Sequence, residues 1–478
     1  HCSEATIRAM VYDSDGLPQL TLGVAHTVEP SAPLSFAQER LWLIEKAMPG
    51  TPLYNLPFVL KLNGPLEPEV LRASLEALVA RHPALRTTLE VQGDEPMQLV
   101  APPMTLALPL VDYSDEADAI AQAHLEGTLA EDANAPFNLA VGPLFRARLF
   151  RMEPERHVLA CTLHHAVFDG WSRGIWLREL AAAYAACAEG RPVVLPDLPL
   201  QYTDYARRQR ARHSEGVLDG QLDYWRTILQ APLPLLELPL DRSRPLQRTH
   251  HGGIRNGHLP PALADALLDL GRKEGATPFI VLLTLYVALL SRYGNAHDLV
   301  VGCPVATRMD PELVDLVGFL VNTVAIRTRI EGAPSFLDLL GQVQGICLDA
   351  FSHMEVPFQH VVEAVAPPRD ACLTPVFQTL FTFEDSLNEP DRLGDLSVTT
   401  AWVERDAAVT DLLLTVERNA AGLDVALTYS RDLFEDATAA RMVGHLITLA
   451  ASVVDAPRAP LSGLSLLPPD EAAKIRAW

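Results

Sequence analysis

Between Arg156 and Leu180 the sequence changes period once, and that change constrains what the surrounding chain can fold into. The run Arg156-His157-Val158-Leu159-Ala160-Cys161-Thr162-Leu163 is apolar, contains β-branched residues and is too short for a helix, so it reads as a strand. Beyond His164-His165-Ala166-Val167-Phe168-Asp169-Gly170, Ser172 can cap a helix whose core face carries Trp176, Leu177 and Leu180. Strands and helices keep alternating to roughly Leu198, which predicts a mixed α/β (α+β) fold.

The junction itself carries chemistry. Side chains alternate across a strand, so His164 and His165 should point to opposite faces, one toward a cavity and one into the fold. A histidine at the carboxyl end of a strand, beside the backbone N–H groups of a helix start, has the placement of a general base next to an oxyanion site. The Gly170 N–H is the natural oxyanion donor, because glycine lets the backbone approach closely and precedes a helix N-terminus. Standing alone, a His-His pair reads more readily as two satisfied core or surface histidines. The chain holds its own control in His250-His251, which precedes Gly252-Gly253 rather than an Asp-Gly turn and reads as structural.

Composition narrows the classes. The 478 residues are 49% hydrophobic and 21% charged, enough for two or three cores. A formal charge of -22 argues against nucleic acid, whose binding needs clustered Lys and Arg. The six cysteines lie far apart with no Cys-x-x-Cys pair, so reduced thiols are expected and no metal site. The most apolar run, Phe279 to Leu290, is shorter than the roughly 20 residues a bilayer span takes and reads as a buried core helix. Residues 1–30 lack a basic start followed by an apolar block, so a cytoplasmic protein without a membrane partner is expected.

Residues 1–33 read as an irregular lead-in ending at Pro30-Ser31-Ala32-Pro33. Helices are predicted from Ser35 and from Pro68, the latter with Leu71, Leu75 and Leu78 on one face. From Leu238 to Gly257 the chain is rich in Pro, Arg, His and Gly, which makes it the best boundary. Beyond it come a helix from about Pro261, the buried helix Thr277–Tyr293 and a strand Asp298–Cys303. Leu412–Val416 and Leu423–Tyr429 flank Asn419-Ala420-Ala421-Gly422 as a hairpin or neighbouring strands, before a last helix at Asp436–Val454. Arg207, Arg208, Arg210 and Arg212 form a basic run, either a solvated helix face or an attractor for an acidic carrier or pantetheine phosphates.

The pattern His-His-x-x-x-Asp-Gly-Trp-Ser resembles the active-site motif of nonribosomal peptide synthetase condensation domains, members of the chloramphenicol-acetyltransferase-like acyltransferases. The opening Ser35-Phe36-Ala37-Gln38-Glu39-Arg40-Leu41-Trp42 is similar to the first motif of that family. Arg81-His82-Pro83-Ala84-Leu85-Arg86-Thr87 is similar to its second and Gln201-Tyr202-Thr203-Asp204-Tyr205-Ala206 to its fourth. Val301-Gly302-Cys303-Pro304-Val305-Ala306-Thr307-Arg308 and Gly318-Phe319-Leu320-Val321-Asn322-Thr323 follow in the family's order. His353-Met354-Glu355-Val356-Pro357-Phe358 and Pro375-Val376-Phe377-Gln378 complete the series.

The resemblance implies two acetyltransferase-like lobes in a V-shaped pseudo-dimer, with the active site in a tunnel between them. The expected layout is a lead-in over 1–33, lobes over 34–237 and 258–465, a linker over 238–257, and over 466–478 the start of a linker to an adenylation domain. It implies amide formation between an acyl thioester and the α-amine of an aminoacyl-carrier acceptor, with His165 acting as base or positioner. His164, Asp169 and Arg308 are expected to support the site; Asp169 either polarises the imidazole or, as the resemblance implies, pairs with Arg308 to fix the loop. Trp171 and Ser172 are candidate tunnel residues, and Asn322 either lines the tunnel or satisfies local backbone.

No intrinsic cofactor is implied; substrates arrive on phosphopantetheine, as acyl-CoA or on carrier proteins. The expected partners are a donor acyl-CoA or upstream carrier, a downstream aminoacyl carrier and an adjacent adenylation domain, around a monomer. Trp171-Ser172 and Gly302-Cys303-Pro304-Val305 disfavour an epimerisation domain, and the intact histidines disfavour heterocyclisation or a non-catalytic recruitment module. The opening Leu34-Ser35-Phe36-Ala37-Gln38 is of the type that takes L-configured donors or starter acyl groups. Residues 1–33 do not resemble a carrier's final helix, so a starter domain that N-acylates the first amino acid from fatty acyl-CoA is expected, with an internal condensation domain as the alternative.

Overall fold

Each of the two compact units is built on a six-stranded mixed sheet, and the first takes in pieces of the distant chain. The computed structural model describes residues 31–477 except Arg369, Ala371 and Asn388. Unit 1 consists of the described part of 1–216 together with Arg308–Leu320 and Glu389–Glu404. Unit 2 consists of Val217–Thr307 and the described parts of 321–388 and 405–478.

In unit 1 the sheet order is Arg392–Leu393, Leu396–Trp402, Asn55–Asn63, Arg156–His164, Phe145–Glu153 and Leu110–Asp112. Arg156–His164 runs antiparallel to both its neighbours, and every residue from His157 to His164 is buried, which explains its apolar run. The helix Phe36–Ala47 begins at a complete capping box: Ser35 accepts the Gln38 N–H and the Gln38 side chain accepts the Ser35 N–H. The helix Pro68–Arg81 buries Leu71, Leu75 and Leu78, with proline at its first turn. At its end the buried His82 ring bonds Glu179 of the helix Gly170–Ala188 at 2.5 Å, and Arg81 bonds the same carboxylate at 3.0 Å. The second motif therefore braces the helix that follows the histidines.

In unit 2 the order is Val321–Arg329, Asp298–Ala306, Thr379–Asp385, Leu412–Asn419, Gly422–Ser430 and Gly252–Leu259. Leu412–Asn419 and Gly422–Ser430 form the antiparallel hairpin. The helix Pro278–Gly294, capped by Thr277, is buried continuously from Ile280 to Leu290 and forms the centre of the unit's core. Among the described residues, Asp436–Asp455 is long and apolar enough to cross a membrane by length and composition. Its Met442, Leu446 and Leu449 belong to that same core.

Three sequence expectations are corrected. Ser31–Pro33, read as the end of an irregular lead-in, is a short edge strand paired with Glu95–Val100, a position where proline is tolerated; the rest of the lead-in, 1–30, lies outside the described residues. Gly252–Leu259, mostly assigned to the 238–257 linker, is a sheet strand. Gly252 and Gly253 have close neighbours that a Cβ would overlap, Ala407 backbone and the Tyr429 ring, so glycine here records packing rather than a turn. The units also divide at Gly216/Val217, ahead of the expected boundary, and the helix Asp219–Ile228 belongs to unit 2.

Gly302 shows how tightly unit 2 is packed. A Cβ at this strand position would lie 2.5 Å from the Phe377 ring and 2.7 Å from Leu380. Gly302→Ala should therefore lower stability by about 1–3 kcal/mol, as overpacked cores do. Chemical denaturation of the purified variant against wild type measures this.

Candidate active site

The strand ends at His164, and the two histidines then part. His164 is 3% exposed and buried, edge-on to Phe137 with ring centroids 6.1 Å apart. Its Nδ1 accepts the Ala166 N–H at 3.1 Å, so the neutral ring carries its proton on Nε2. Burial, with the neighbouring His165, pushes its pKa down to about 3, so it stays neutral over the working range.

His165 is partly exposed. Its backbone N–H is held by Tyr54 O at 2.8 Å, and its Nδ1 lies 2.9 Å from the Phe168 carbonyl. A carbonyl only accepts, so Nδ1 carries the proton and the lone pair of the neutral imidazole sits on Nε2. The Phe319 ring lies against the imidazole, centroids 4.5 Å apart at 50°.

Gly170 opens the helix Gly170–Ala188, where the first N–H groups have no intrahelical acceptor. The cap is Asp169 and not Ser172: the Asp169 carboxylate accepts the Ser172 N–H at 2.7 Å. This corrects the sequence reading. The Ser172 hydroxyl is committed elsewhere, donating to Gly318 O at 3.0 Å and accepting from Gly318 N–H and Arg308, each at 3.1 Å.

Asp169 is fully buried, and four donors surround its carboxylate. Besides Ser172 N–H, Arg308 bonds both oxygens at 2.9 and 3.1 Å, and the Leu320 N–H donates at 3.0 Å. Burial alone would raise its pKa. The Arg308 charge, together with hydrogen bonds from Arg308 and Ser172, outweighs burial and holds it below the usual carboxylate range. Arg308 also donates to Leu316 O at 3.1 Å and lies 5.8 Å from the centroid of the Trp171 ring. Trp171 is 51% exposed and donates its indole N–H to Val314 O at 3.0 Å.

Asn322 stands in unit 2, where its amide bonds Met354 O at 2.7 Å, Val356 O at 2.6 Å and the Phe358 N–H at 3.0 Å. Of its two sequence readings, these contacts satisfy the backbone one: the side chain clamps the loop 354–358. The basic run keeps much of its solvated face, with Arg208 and Arg212 exposed, while three of its arginines are also engaged within unit 1. Arg207 holds Ser31 O, Arg208 pairs with Glu312, and Arg210 bonds Leu34 O and Glu39. Sequence reasoning assigned no role to Phe319 or Tyr202, although both lie within the family motifs; their signal was an aromatic inside an otherwise polar or glycine-led match.

A buried neutral histidine, a partly exposed one with a fixed tautomer and a helix start locked by a buried ion pair make a site suited to acyl transfer. The condensation-domain family model matches residues 28–476, and the chain belongs to that family, the amide-bond-forming acyltransferases of nonribosomal peptide synthetases. A linear gramicidin synthase polypeptide from Brevibacillus parabrevis is 38% identical over 445 residues, covering 93% of this chain. Phosphinothricin tripeptide synthetase PhsC from Streptomyces viridochromogenes is 38% identical over 451 residues, again 93% of this chain. The chain spans only 6% and 41% of these two relatives. Among solved structures, the X-domain from teicoplanin biosynthesis aligns with a TM-score of 0.80 at 29% identity, covering 93% of this chain and 99% of that one.

The buried charge and the buried imidazole each set a measurable stability. Asp169→Ala leaves Arg308 buried without its counter-charge and should cost about 3–5 kcal/mol in denaturant unfolding. Because the Asp169 pKa is depressed, its contribution is complete at neutral pH and fades only as pH falls below about 3.9, the unfolded value. His164 acts at higher pH: the unfolded chain takes up its proton near 6.5 while the native state resists until about 3. As pH falls through that window, this residue should therefore lower stability by about 1.4 kcal/mol per pH unit. His164→Asn should make the slope of unfolding free energy between pH 6 and 4 shallower by one proton.

Proposed function

We propose that this domain joins an acyl thioester donor to the α-amine of an aminoacyl-carrier acceptor, with His165 as the group that handles the amine proton. The observation that carries this is the 2.9 Å bond from His165 Nδ1 to the Phe168 carbonyl, which gives the neutral ring a basic Nε2. His164, buried and neutral, accepts a backbone N–H at its own Nδ1 and serves as support.

In the reaction the neutral amine forms a C–N bond to the thioester carbonyl, whose oxygen takes up negative charge. The amine proton passes to His165 Nε2. Collapse of the tetrahedral centre breaks the C–S bond, and the imidazolium proton goes to the departing thiolate, so amide and thiol are the products. The Gly170 N–H at the helix start is the donor assigned to the oxyanion; one such donor is worth about 2.7–4 kcal/mol in well-studied enzymes. Asp169 and Arg308 hold the turn and take no proton. The pantetheine arm belongs to the substrates.

We assign the donor to an upstream carrier. Relatives at 34–38% identity are synthetases of which this chain spans less than half, and that context favours thioesters delivered by neighbouring carriers, with an adenylation domain alongside. The starter reading, with free acyl-CoA as donor, is compatible with the Leu34–Gln38 opening, which suits L-configured donors as well. A solved starter domain bound to C8-CoA is 20% identical and supports the fold only. A recruitment role is a second reading, because an X-domain in complex with OxyB from teicoplanin biosynthesis is 28% identical over 95% of this chain.

One assay separates these readings. The domain is incubated with an aminoacyl carrier and either acyl-carrier or acyl-CoA donors, and the carrier-bound product is followed by mass spectrometry. Product with carrier donors is expected, and His165→Ala should lower its rate about 10²-fold or more at unchanged melting temperature. Product from acyl-CoA alone transfers the assignment to a starter domain. No product from wild type with either donor class leaves the recruitment role, and a His165→Ala rate within about twofold of wild type removes His165 from the mechanism.

A further inference from the structure

The segment Gly318–Leu320 is fastened at three successive residues, each by a different side chain. Ser172 holds both polar groups of the Gly318 backbone, and Asp169 accepts the Leu320 N–H at 3.0 Å. Between them the Phe319 carbonyl accepts the Tyr202 hydroxyl at 2.8 Å. That bond uses the only proton of the tyrosine hydroxyl, so the 2.8 Å contact between Ser35 and Tyr202 runs from the serine to the tyrosine. Burial raises the Tyr202 phenol well above its ordinary value, which keeps it a donor.

The same cap reaches the other side of the histidine. Gln38, joined to Ser35 in the capping box, donates its side-chain amide to Ala166 O at 3.1 Å, one residue beyond His165. The turn after His165 is thus held by Gln38 at the Ala166–Val167 peptide, and Tyr202 holds the backbone of Phe319, whose ring lies against the imidazole. Tyr202 is itself locked, because its ring fills the space where a Cβ of residue 318 would lie.

We infer that Tyr202 is a positioning residue of the reaction: its hydroxyl fixes the Phe319 backbone, and the Phe319 ring in turn sets the tilt of the His165 imidazole. This rests on the assignment of the proton transfer to His165. Misplacement of a reacting group by about 1 Å can cost 10²-fold, so a single hydroxyl remote from the substrate has leverage on rate.

Tyr202→Phe keeps the ring against Gly318 and deletes only the hydroxyl. In the full domain with carrier-loaded substrates, kcat should fall roughly 10- to 100-fold while KM for both carriers stays at the wild-type value. Phe319→Ala should give a similar kcat loss. The double variant should be no slower than Phe319→Ala alone, since the hydroxyl acts through that ring; two independent structural defects would add. Wild-type kcat in Tyr202→Phe, a loss carried by KM, or additive losses in the double variant overturns the inference. If Tyr202→Phe does not fold, Phe319→Leu carries the test: a kcat loss at unchanged KM supports the inference and wild-type kcat overturns it. An active His165→Ala protein would instead sink the functional reading, whereas an inactive one beside a fully active Tyr202→Phe sinks this inference alone.

Discussion

Asp169 and Arg308 are opposite charges withdrawn from water, 139 residues apart in sequence, and the order of the histidine turn depends on their meeting. Desolvating two ions is costly, and the pair is sustained only because every surrounding group answers it. The aspartate receives a bidentate guanidinium, a helix-start N–H and the Leu320 N–H, so its acceptor sites are filled by donors alone. An asparagine of the same shape would turn an NH2 group toward one of those donors. The charge therefore serves geometry: one carboxylate caps the helix after the histidines and anchors the remote segment that supplies Phe319.

How much of this could be read from the sequence follows the range of each interaction. The strand Arg156–His164, the helices at Ser35 and Pro68 and the hairpin after Leu412 were legible, because periodicity, caps and turn residues act within a few positions. Ser172 was misread as a cap because its hydroxyl answers Gly318, 146 residues away, while the neighbouring Asp169 was placed to cap. The strand Gly252–Leu259 was hidden in a stretch rich in glycine and histidine, since its glycines are dictated by a tyrosine ring and a backbone far along the chain.

The site shows the same division. Local reasoning found the histidine pair and the helix start. The tautomer of His165 depends on how the turn folds back to Phe168 O, a backbone contact that composition does not encode. The arginines after Tyr205 form a partly solvated helix face, and what composition does not show is that Arg207 and Arg210 also donate to the Ser31 and Leu34 carbonyls and that Arg208 and Arg210 pair with Glu312 and Glu39. Buried donors and acceptors must be matched, and long arginines are well suited to reach unpaired carbonyls at the ends of elements.

The strand Leu396–Trp402 pairs in unit 1 with Asn55–Asn63, a partner made far earlier on the ribosome. At synthesis rates of about 5–20 residues per second, the interval between the two is on the order of tens of seconds. Through that time the nascent first unit holds an apolar strand with one open edge, the kind of edge that recruits other chains. Arg308 is also late, so Asp169 waits for its counter-charge while most of the second unit is still unmade. The birth of the first unit is thus tied to translation of the second, and slowing or pausing the ribosome between Asn63 and Ser397 prolongs the most aggregation-prone stage of the chain.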